Sequence, residues 1–441
     1  MNIREIVVRL LDDYENSGKY VNLSLNSHLL DGLDTADRGR VTNLLYTSVE
    51  HKITLDYAVT TWGARSRDAI DSHTLNVLRV GLCGLFYQDR IPAFASVNET
   101  VKLARHPGER AFINALLRRA AAEKEAGNFL PLPDRKKNPA RYLSVAYSFP
   151  LPTVRLFISL YGEDGAERLL ARFNEKPSLT VTVNTEKTDR EGYLKKLNRE
   201  GIAAERTKFS PNGIRIPDSQ NPKALPGFGD GEFFVQDEAS QIHGMILAPA
   251  PGMRVIDVCA APGGKSFAAA LSMKNKGEVI SFDLHENKLS LIENGARRLG
   301  LSVVRTEARD ALEPDETLFG TADRVVCDVP CSGLGVLGKK PDLRYKEETA
   351  LDTLPELALG ILTASANYLK ADGVLLYSTC TLNPKENRAV VDAFLAEHPE
   401  FTLVPFAVGQ KNCPDGDLTL LPHEDGTDGF YIAKLQRRNQ L

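Results

Sequence analysis

The stretch ADRVVCDVPCSGLGVL, Ala322 to Leu337, decides how this chain is read. It opens as an apolar strand, Arg324 to Val329, and breaks at Pro330 into a glycine-bearing loop that holds Cys331. A second stretch, DGVLLYSTCTLNPKEN (Asp372 to Asn387), repeats the layout, with a strand over Gly373 to Thr379 followed by Cys380. Upstream, VIDVCAAPGGKS (Val255 to Ser266) is a strand, Arg254 to Val258, that turns on proline and glycine. Two further strands, Glu278 to Asp283 and Val303 to Glu307, fall between, separated by helical segments. Strand and helix in alternation give right-handed crossovers and a parallel sheet. Such a sheet offers its ligand sites at the carboxyl ends of the strands. In the usual doubly wound order the fourth strand neighbours the first and the fifth neighbours the fourth, about 4.8 Å apart. That order predicts Asp328, Cys331 and Cys380 side by side, next to the turn Cys259 to Lys265. LTLLP (Leu418 to Pro422) and GFYIAKLQR (Gly429 to Arg438) are expected to close the sheet as a hairpin.

Working outward, 441 residues are too many for one core, and three domains are expected. Residues 1–140 read as helix after helix. In Leu75 to Tyr87 the apolar positions are nearly continuous, as in a central buried helix, and Gly81 and Gly84 there imply close helix packing. Cys83 lies in this run and reads as an inert core residue. Proline and charge concentrate over Asn128 to Pro152, which reads as a linker. Residues 141–232 read as a small α+β unit, with a half-buried strand over Ser178 to Thr185 and a second near GIRIP. Residues 233–441 form the α/β unit.

The proportions of 42% hydrophobic and 25% charged residues are those of an ordinary soluble globular chain. No apolar run approaches the roughly 20 residues that span a bilayer, and MNIREIVVRLL lacks a secretory layout, so a cytoplasmic location is expected. The formal net charge of -4 restricts any nucleic-acid surface to local patches. Candidate patches are Arg118 and Arg119, Arg135 to Lys137, and Lys339, Lys340, Arg344 and Lys346. Six cysteines show no disulfide framework, and Cys327 with Cys331 lacks the second half of a zinc site, so no metal is expected.

CAAPGGK is neither the dinucleotide fingerprint nor the phosphate loop. A glycine turn after the first strand, with Asp283 at the end of the next, nevertheless suits a nucleoside, the carboxylate holding ribose hydroxyls. The absent phosphate signature favours S-adenosylmethionine. Two thiols at neighbouring strand ends suggest attack on a pyrimidine. The C5 of cytosine is too weak a nucleophile to take a methyl group, but a thiolate added at C6 turns the ring into an enamine. Asp328 suits ring N3 and the exocyclic amine, offsetting the charge that develops there. A second cysteine can assist release of the first, and the base must be unstacked for C6 to be reached.

At these residues the sequence resembles the bacterial ribosomal RNA small subunit methyltransferase B family. The resemblance rests on VQDEAS (Val235 to Ser240), CAAPGGK, DVPCSGLGV (Asp328 to Val336), STCTLNPKEN and HEDGTDGFYIAKL (His423 to Leu435). The stretch Ala95 to Arg119 is similar to the RNA-binding antitermination factor NusB, and the middle unit to the small RNA-binding domain of the family. The resemblance implies a NusB-like all-α domain, a small α+β domain and a Rossmann-like methyltransferase domain. It implies methylation of C5 of one cytosine in 16S ribosomal RNA, on free RNA or an assembly particle, by a monomer without membrane or metal. Carried onto matching positions, it implies that Cys380 is the nucleophile and that Cys331 assists release. It places Cys259, Ala260, Ala261, Pro262, Gly263, Gly264, Lys265, Asp283, Asp310 and Asp328 around the cofactor, with Asp315 a neighbour of Asp310. Where many relatives read TCS, Thr381 follows Cys380 and keeps a hydroxyl. Alternatives are an inactive RNA-binding assembly factor, a thiol redox protein, or an enzyme acting on transfer RNA or another ribosomal site.

Overall fold

The computed structural model describes residues 2–17, 21–25, 27–88, 92–218, 221–346 and 352–438. They form two compact units: Met1–Glu175 with Lys340–Tyr345, and Lys176–Lys339 with Lys346–Leu441.

The first unit is helical, with helices that include Ile3–Ser17, Thr35–Glu50, Lys52–Gly63, Ser72–Phe86, Pro107–Glu125, Pro139–Tyr147 and Leu151–Phe173. Asp71 caps the helix Ser72–Phe86 by accepting from the backbone N–H of Thr74. The rest of that helix is buried from Thr74 to Phe86, as expected of a central element. Its glycines are there for room. A Cβ on Gly81 would lie 2.9 Å from Leu117 and Thr100, and one on Gly84 would lie 2.6 Å from Ser96 Oγ. Cys83 accepts from Ser48 Oγ at 3.5 Å, and burial pushes its thiol up to about 12, so it is inert.

Helices Pro139–Tyr147 and Leu151–Phe173 pack with this compact unit, which ends at Glu175. Hydrogen bonds explain it: Thr54 Oγ1 donates to the Val145 carbonyl at 2.5 Å, and the Ile53 N–H donates to Ser148 Oγ at 3.0 Å. Arg344, expected on a basic surface, is 3% exposed. Its guanidinium lies 3.8 Å from the Phe149 ring centroid and donates to Asn174 Oδ1 at 2.8 Å and to the Glu50 carbonyl at 3.1 Å. Arg135 is likewise engaged, by Glu163 at 2.9 Å and Glu167 at 2.6 Å. Arg118, Arg119, Lys136 and Lys137 are exposed.

In the second unit, β1 (Leu179–Val183), β2 (Glu205–Arg206), β3 (Gly213–Ile216) and β4 (Phe233–Val235) form an antiparallel sheet ordered β2-β3-β1-β4. Residue 233, read as the start of the α/β unit, therefore lies in the small sheet, where Phe233 pairs with Val183. The next segment is joined tightly to it. Asn184 Nδ2 donates to the carbonyls of Gly231 and Leu299, both at 2.8 Å, and Arg298 donates to those of Phe228 and Phe233.

The large sheet has eight strands. Its parallel part is β5 (Arg254–Asp257), β6 (Glu278–Asp283), β7 (Val304–Ala308), β8 (Ala322–Asp328) and β9 (Leu369–Thr379). Beyond β9 lies β10 (Phe401–Leu403), which precedes a small separate pair, β11 (Phe406–Val408) and β12 (Lys411–Cys413). The chain then returns as β13 (Asp417–Leu420) and β14 (Phe430–Arg437). The order β10-β14-β9-β8-β5-β6-β7, with β13 on β14, has the expected fourth strand beside the first and the fifth beside the fourth. The hairpin of β13 and β14 pairs antiparallel, as expected, and β14 is itself antiparallel to β9. β9 begins at Leu369, earlier than its apolar run, because Asp372 takes a φ of 59° and a register shift falls between Ala322 and Arg324. Among the described residues, no single helix is long and apolar enough to cross a membrane.

The helical unit holds a buried charge. Arg79, 1% exposed, donates to both oxygens of Asp56 and to Glu15 and Asn76, each at 2.7 Å. Burial pushes the Glu15 carboxyl up, but Arg79 and Lys52 outweigh it and hold it at about 2, against an ordinary 4.5. The ionised form is thus favoured by the fold. Its contribution, roughly 3 kcal/mol, is complete above about pH 4.5 and is lost as pH falls towards 2. Urea denaturation of the protein across that range should show this loss. Arg79→Met should lower stability at pH 7 by about 3–5 kcal/mol, since it takes both bonds from Asp56 and leaves Glu15 to Lys52, and should flatten the acid limb.

Candidate active site

Parallel pairing sets the site. Asp328, the last residue of β8, stands opposite Ser378 of β9, and the Val329 N–H extends the pairing by donating to the Ser378 carbonyl at 3.1 Å. The two chains leave the sheet side by side, and Cys331 Sγ lies 3.3 Å from Cys380 Sγ. The loops stay in contact beyond the sulfurs. The Gly335 N–H donates to the Cys380 carbonyl at 2.9 Å, and the Gly429 N–H donates to the Gly335 carbonyl at 2.8 Å. Gly335 has no room for a side chain, since a Cβ would lie 2.0 Å from the Gly429 carbonyl oxygen.

On the other side, β5 pairs with β8 through Ile256 and Val325, which brings the turn Cys259 to Lys265 to the same edge. The turn is tightly built: the Ala260 N–H donates to the Phe282 carbonyl and the Gly263 N–H to the Ala260 carbonyl, both at 2.7 Å. Gly263 takes a φ of 107°, and a Cβ there would meet the Phe267 ring at 2.5 Å, so the turn requires glycine. Pro262 follows Ala261, whose N–H donates to Asp283 Oδ2 at 3.2 Å. The helix Gly264–Ser272 then starts with no side chain capping its N–H groups. Beneath it Asp257 accepts from Ser266 Oγ at 2.7 Å through Oδ2, while its buried Oδ1 has no partner. Uncapped N–H groups suit a carboxylate, an orphaned carboxylate oxygen suits an ammonium, and Asp283 suits ribose hydroxyls. That donor set fits the amino-acid end and the sugar of S-adenosylmethionine. Asp310 stands past the end of β7 and accepts from the Leu312 N–H at 2.9 Å, whereas Asp315 is engaged with Arg309 and Thr317.

Lys265 does not stay with the turn. Its ammonium bonds Asp328 Oδ2 and lies 5.2 Å from the Phe430 ring centroid, while Ser378 Oγ donates to Asp328 Oδ1 at 2.7 Å. Burial opposes the charge on Lys265, but Asp328, and after it Asp257 and Cys380, raise its pKa and keep it protonated. Burial pushes the Asp257 carboxyl up to about 7, partly offset by the Ser266 hydroxyl. The Cys331 thiol is held well above its ordinary value by its hydrogen bond with Cys380 and then by burial, so it stays neutral. Burial does the same to Cys259, which makes it passive. Among the described residues no cluster of three His, Cys, Asp or Glu could hold a metal ion.

The structure brings together Cys331, Cys380, Asp328 and Lys265, with Asp283 bonded to the turn Cys259 to Lys265. Three contacts escaped sequence reading. Lys339, expected on a basic surface, bridges Asp237 at 2.6 Å and Asp428 at 2.9 Å, tying together two of the motif stretches. Gln236 donates to the Gly264 carbonyl at 3.0 Å and accepts from Thr182 Oγ1 at 2.9 Å. Glu386, inside the quoted STCTLNPKEN, accepts from the Ser332 N–H at 2.7 Å. For Gln236 and Glu386 only the motifs containing them pointed to a role, and Lys339 stood out only as surface charge.

Known proteins match along the chain in the order that the fold gives. Residues 1–122 match the NusB family, 153–221 the ferredoxin-like domain of RsmF/B-like methyltransferases, and 244–436 the 16S rRNA methyltransferase RsmB/F family. A probable ribosomal RNA small subunit methyltransferase B from Bacillus subtilis is 35% identical over 99% of both chains. The ribosomal RNA small subunit methyltransferase B of Pseudomonas putida is 33% identical over 93% of this chain and 94% of its own. Among solved structures, a methyltransferase homolog protein from Pyrococcus horikoshii is 25% identical, covering 68% of this chain and 99% of its own with a TM-score of 0.60. NSun6 from the same organism, solved with SFG, shares the fold at 23% identity and a TM-score of 0.58 over 66% of this chain and 99% of its own. Three domain matches in order and two full-length likenesses make this chain a member of the ribosomal RNA small subunit methyltransferase B family.

Proposed function

We propose that this RNA methyltransferase places a methyl group on C5 of a cytosine in 16S ribosomal RNA, through a covalent bond between Cys380 and C6. The observation that supports this reading is the 3.3 Å approach of the Cys331 and Cys380 sulfurs beside the Lys265–Asp328 pair. The methyl donor is S-adenosylmethionine, which supplies an electrophilic methyl group when bound. Cys259 to Lys265, Asp283 and Asp310 hold it, the last from the neighbouring strand end.

The target base enters unstacked, since C6 is closed off inside a helix. Asp328 accepts from the exocyclic amine and, with Lys265, offsets charge that develops around ring N3. The Cys380 thiolate forms the S–C6 bond, and the electrons of the C5–C6 double bond move to make C5 nucleophilic. Once C5 bears its new methyl group, water takes the C5 proton, the electrons of that C–H bond restore the C5–C6 double bond, and the C6–S bond breaks to return Cys380 as a thiolate. A neutral Cys331 thiol 3.3 Å away donates a hydrogen bond to the departing sulfur and favours that cleavage. The NusB-like unit and the ferredoxin-like domain supply RNA contacts, and the protein works in the cytoplasm as a monomer.

Cys380→Ala should lower methyl transfer by at least about 1,000-fold while S-adenosylmethionine still binds by calorimetry. Cys331→Ala should instead accumulate an RNA–protein adduct that survives denaturing electrophoresis. Bisulfite sequencing of 16S ribosomal RNA from cells lacking the gene should show one modified cytosine lost, and an unchanged pattern would contradict the substrate assignment.

A further inference from the structure

Behind the two sulfurs lies a buried carboxylate with no part in the bond-making steps. Glu386 is 1% exposed. Its Oε2 accepts from the backbone N–H of Ser332 at 2.7 Å, and its Oε1 from Asn383 Nδ2 at 2.9 Å. Ser332 follows Cys331, and Asn383 lies on the loop that Cys380 begins. One oxygen therefore engages each cysteine loop. The backbone of Glu386 is anchored in turn, its carbonyl accepting from Tyr377 OH at 2.5 Å. A second, weaker stitch lies alongside: the hydroxyls of Ser332 and Thr381, each the residue after a cysteine, meet at 2.6 Å.

We infer that Glu386 is a positioning residue whose carboxylate sets the distance between Cys331 and Cys380, and so the rate at which the product is released. The inference rests on the thiol chemistry proposed above. A buried carboxylate is costly unless its oxygens are bonded, and packing alone would be served by an apolar side chain. What an apolar side chain lacks is an acceptor facing both loops. Without Glu386 the Ser332 N–H is left buried and unsatisfied, and the Cys331 loop moves until it finds another partner. Cys380 keeps support of its own, since Asn387 Nδ2 holds the Thr381 carbonyl at 3.0 Å and Asn387 Oδ1 accepts from Thr379 Oγ1 at 2.5 Å. The release step should therefore suffer more than the attack.

Glu386→Leu removes both acceptors. Glu386→Gln keeps one, and the Asn383 amide can turn to meet the new donor, so it should rescue. The first readout needs no RNA: diamide takes two electrons and two protons from the thiols of the purified full chain to give a Cys331–Cys380 disulfide. Its formation should slow about tenfold in Glu386→Leu and stay near the parent rate in Glu386→Gln. The second is turnover on ribosomal RNA, where Glu386→Leu should accumulate covalent adduct with kcat lowered about 10- to 100-fold and the KM for S-adenosylmethionine unchanged. Should Glu386→Leu lose cofactor binding by calorimetry, Ser332→Ala, which removes only the hydroxyl stitch, makes the same test with a smaller slowing. Disulfide formation at the parent rate in both Glu386→Leu and Ser332→Ala would overturn the positioning role. Slowed disulfide formation with no adduct in any variant would leave that role standing and count against the cytosine chemistry instead.

Discussion

The pairing of β8 with β9 sets Asp328 across from Ser378, and the chain then leaves the sheet at two neighbouring points. Adjacent strands lie about 4.8 Å apart, so loops that start together stay within reach of each other. A slip of one residue would turn every side chain of β8 to the opposite face and carry Asp328 with it. The apolar residues Val325, Val326 and Cys327, packed into cores on both faces, fix the register against such a slip. The sulfur contact, the Asp328 bond to Ser378 and the closeness of the cofactor turn on β5 all follow from that register.

Charge in the site is arranged by competition between burial and pairing. Burial works against the charge on Lys265, and Asp328, Asp257 and Cys380 outweigh it. Cys331 answers the same burial by staying neutral. The result is a fixed cation, a carboxylate and a neutral thiol gathered beside Cys380. Arg79 in the helical unit is an equally buried cation with carboxylate partners, but at 1% exposure it meets no substrate and serves the core alone. Similar electrostatics become chemistry in one unit and structure in the other because only strand ends open onto a ligand.

Much of this was legible in the sequence, for definite reasons. The inner parallel strands β5, β6 and β8 and the second half of β9 are largely buried, so each carries an apolar run, and the glycine turn and both cysteines mark where such runs end. β4 and β10 were not legible, because three residues cannot establish a period and partners from elsewhere in the chain hold them as strands. Lys339 and Arg344 read as surface charge because their partners, Asp237, Asp428 and Asn174 among them, lie 89 or more residues away. Lys265 shows a related limit: the motif places its backbone in the cofactor turn, while the direction of its side chain, onto Asp328, is settled by packing. Glu386 sat in a quoted motif, but nothing local says that a glutamate after proline and lysine is buried.

The central claim is that Cys380 bonds to the target base and Cys331 does not. Ribosomal RNA bearing 5-fluorocytidine tests this directly, because C5 then has no proton to lose and the covalent complex cannot resolve. Incubation with S-adenosylmethionine, proteolysis and mass spectrometry should find the nucleotide on the peptide containing Cys380. A nucleotide on the Cys331 peptide, or no covalent complex at all, would contradict the account.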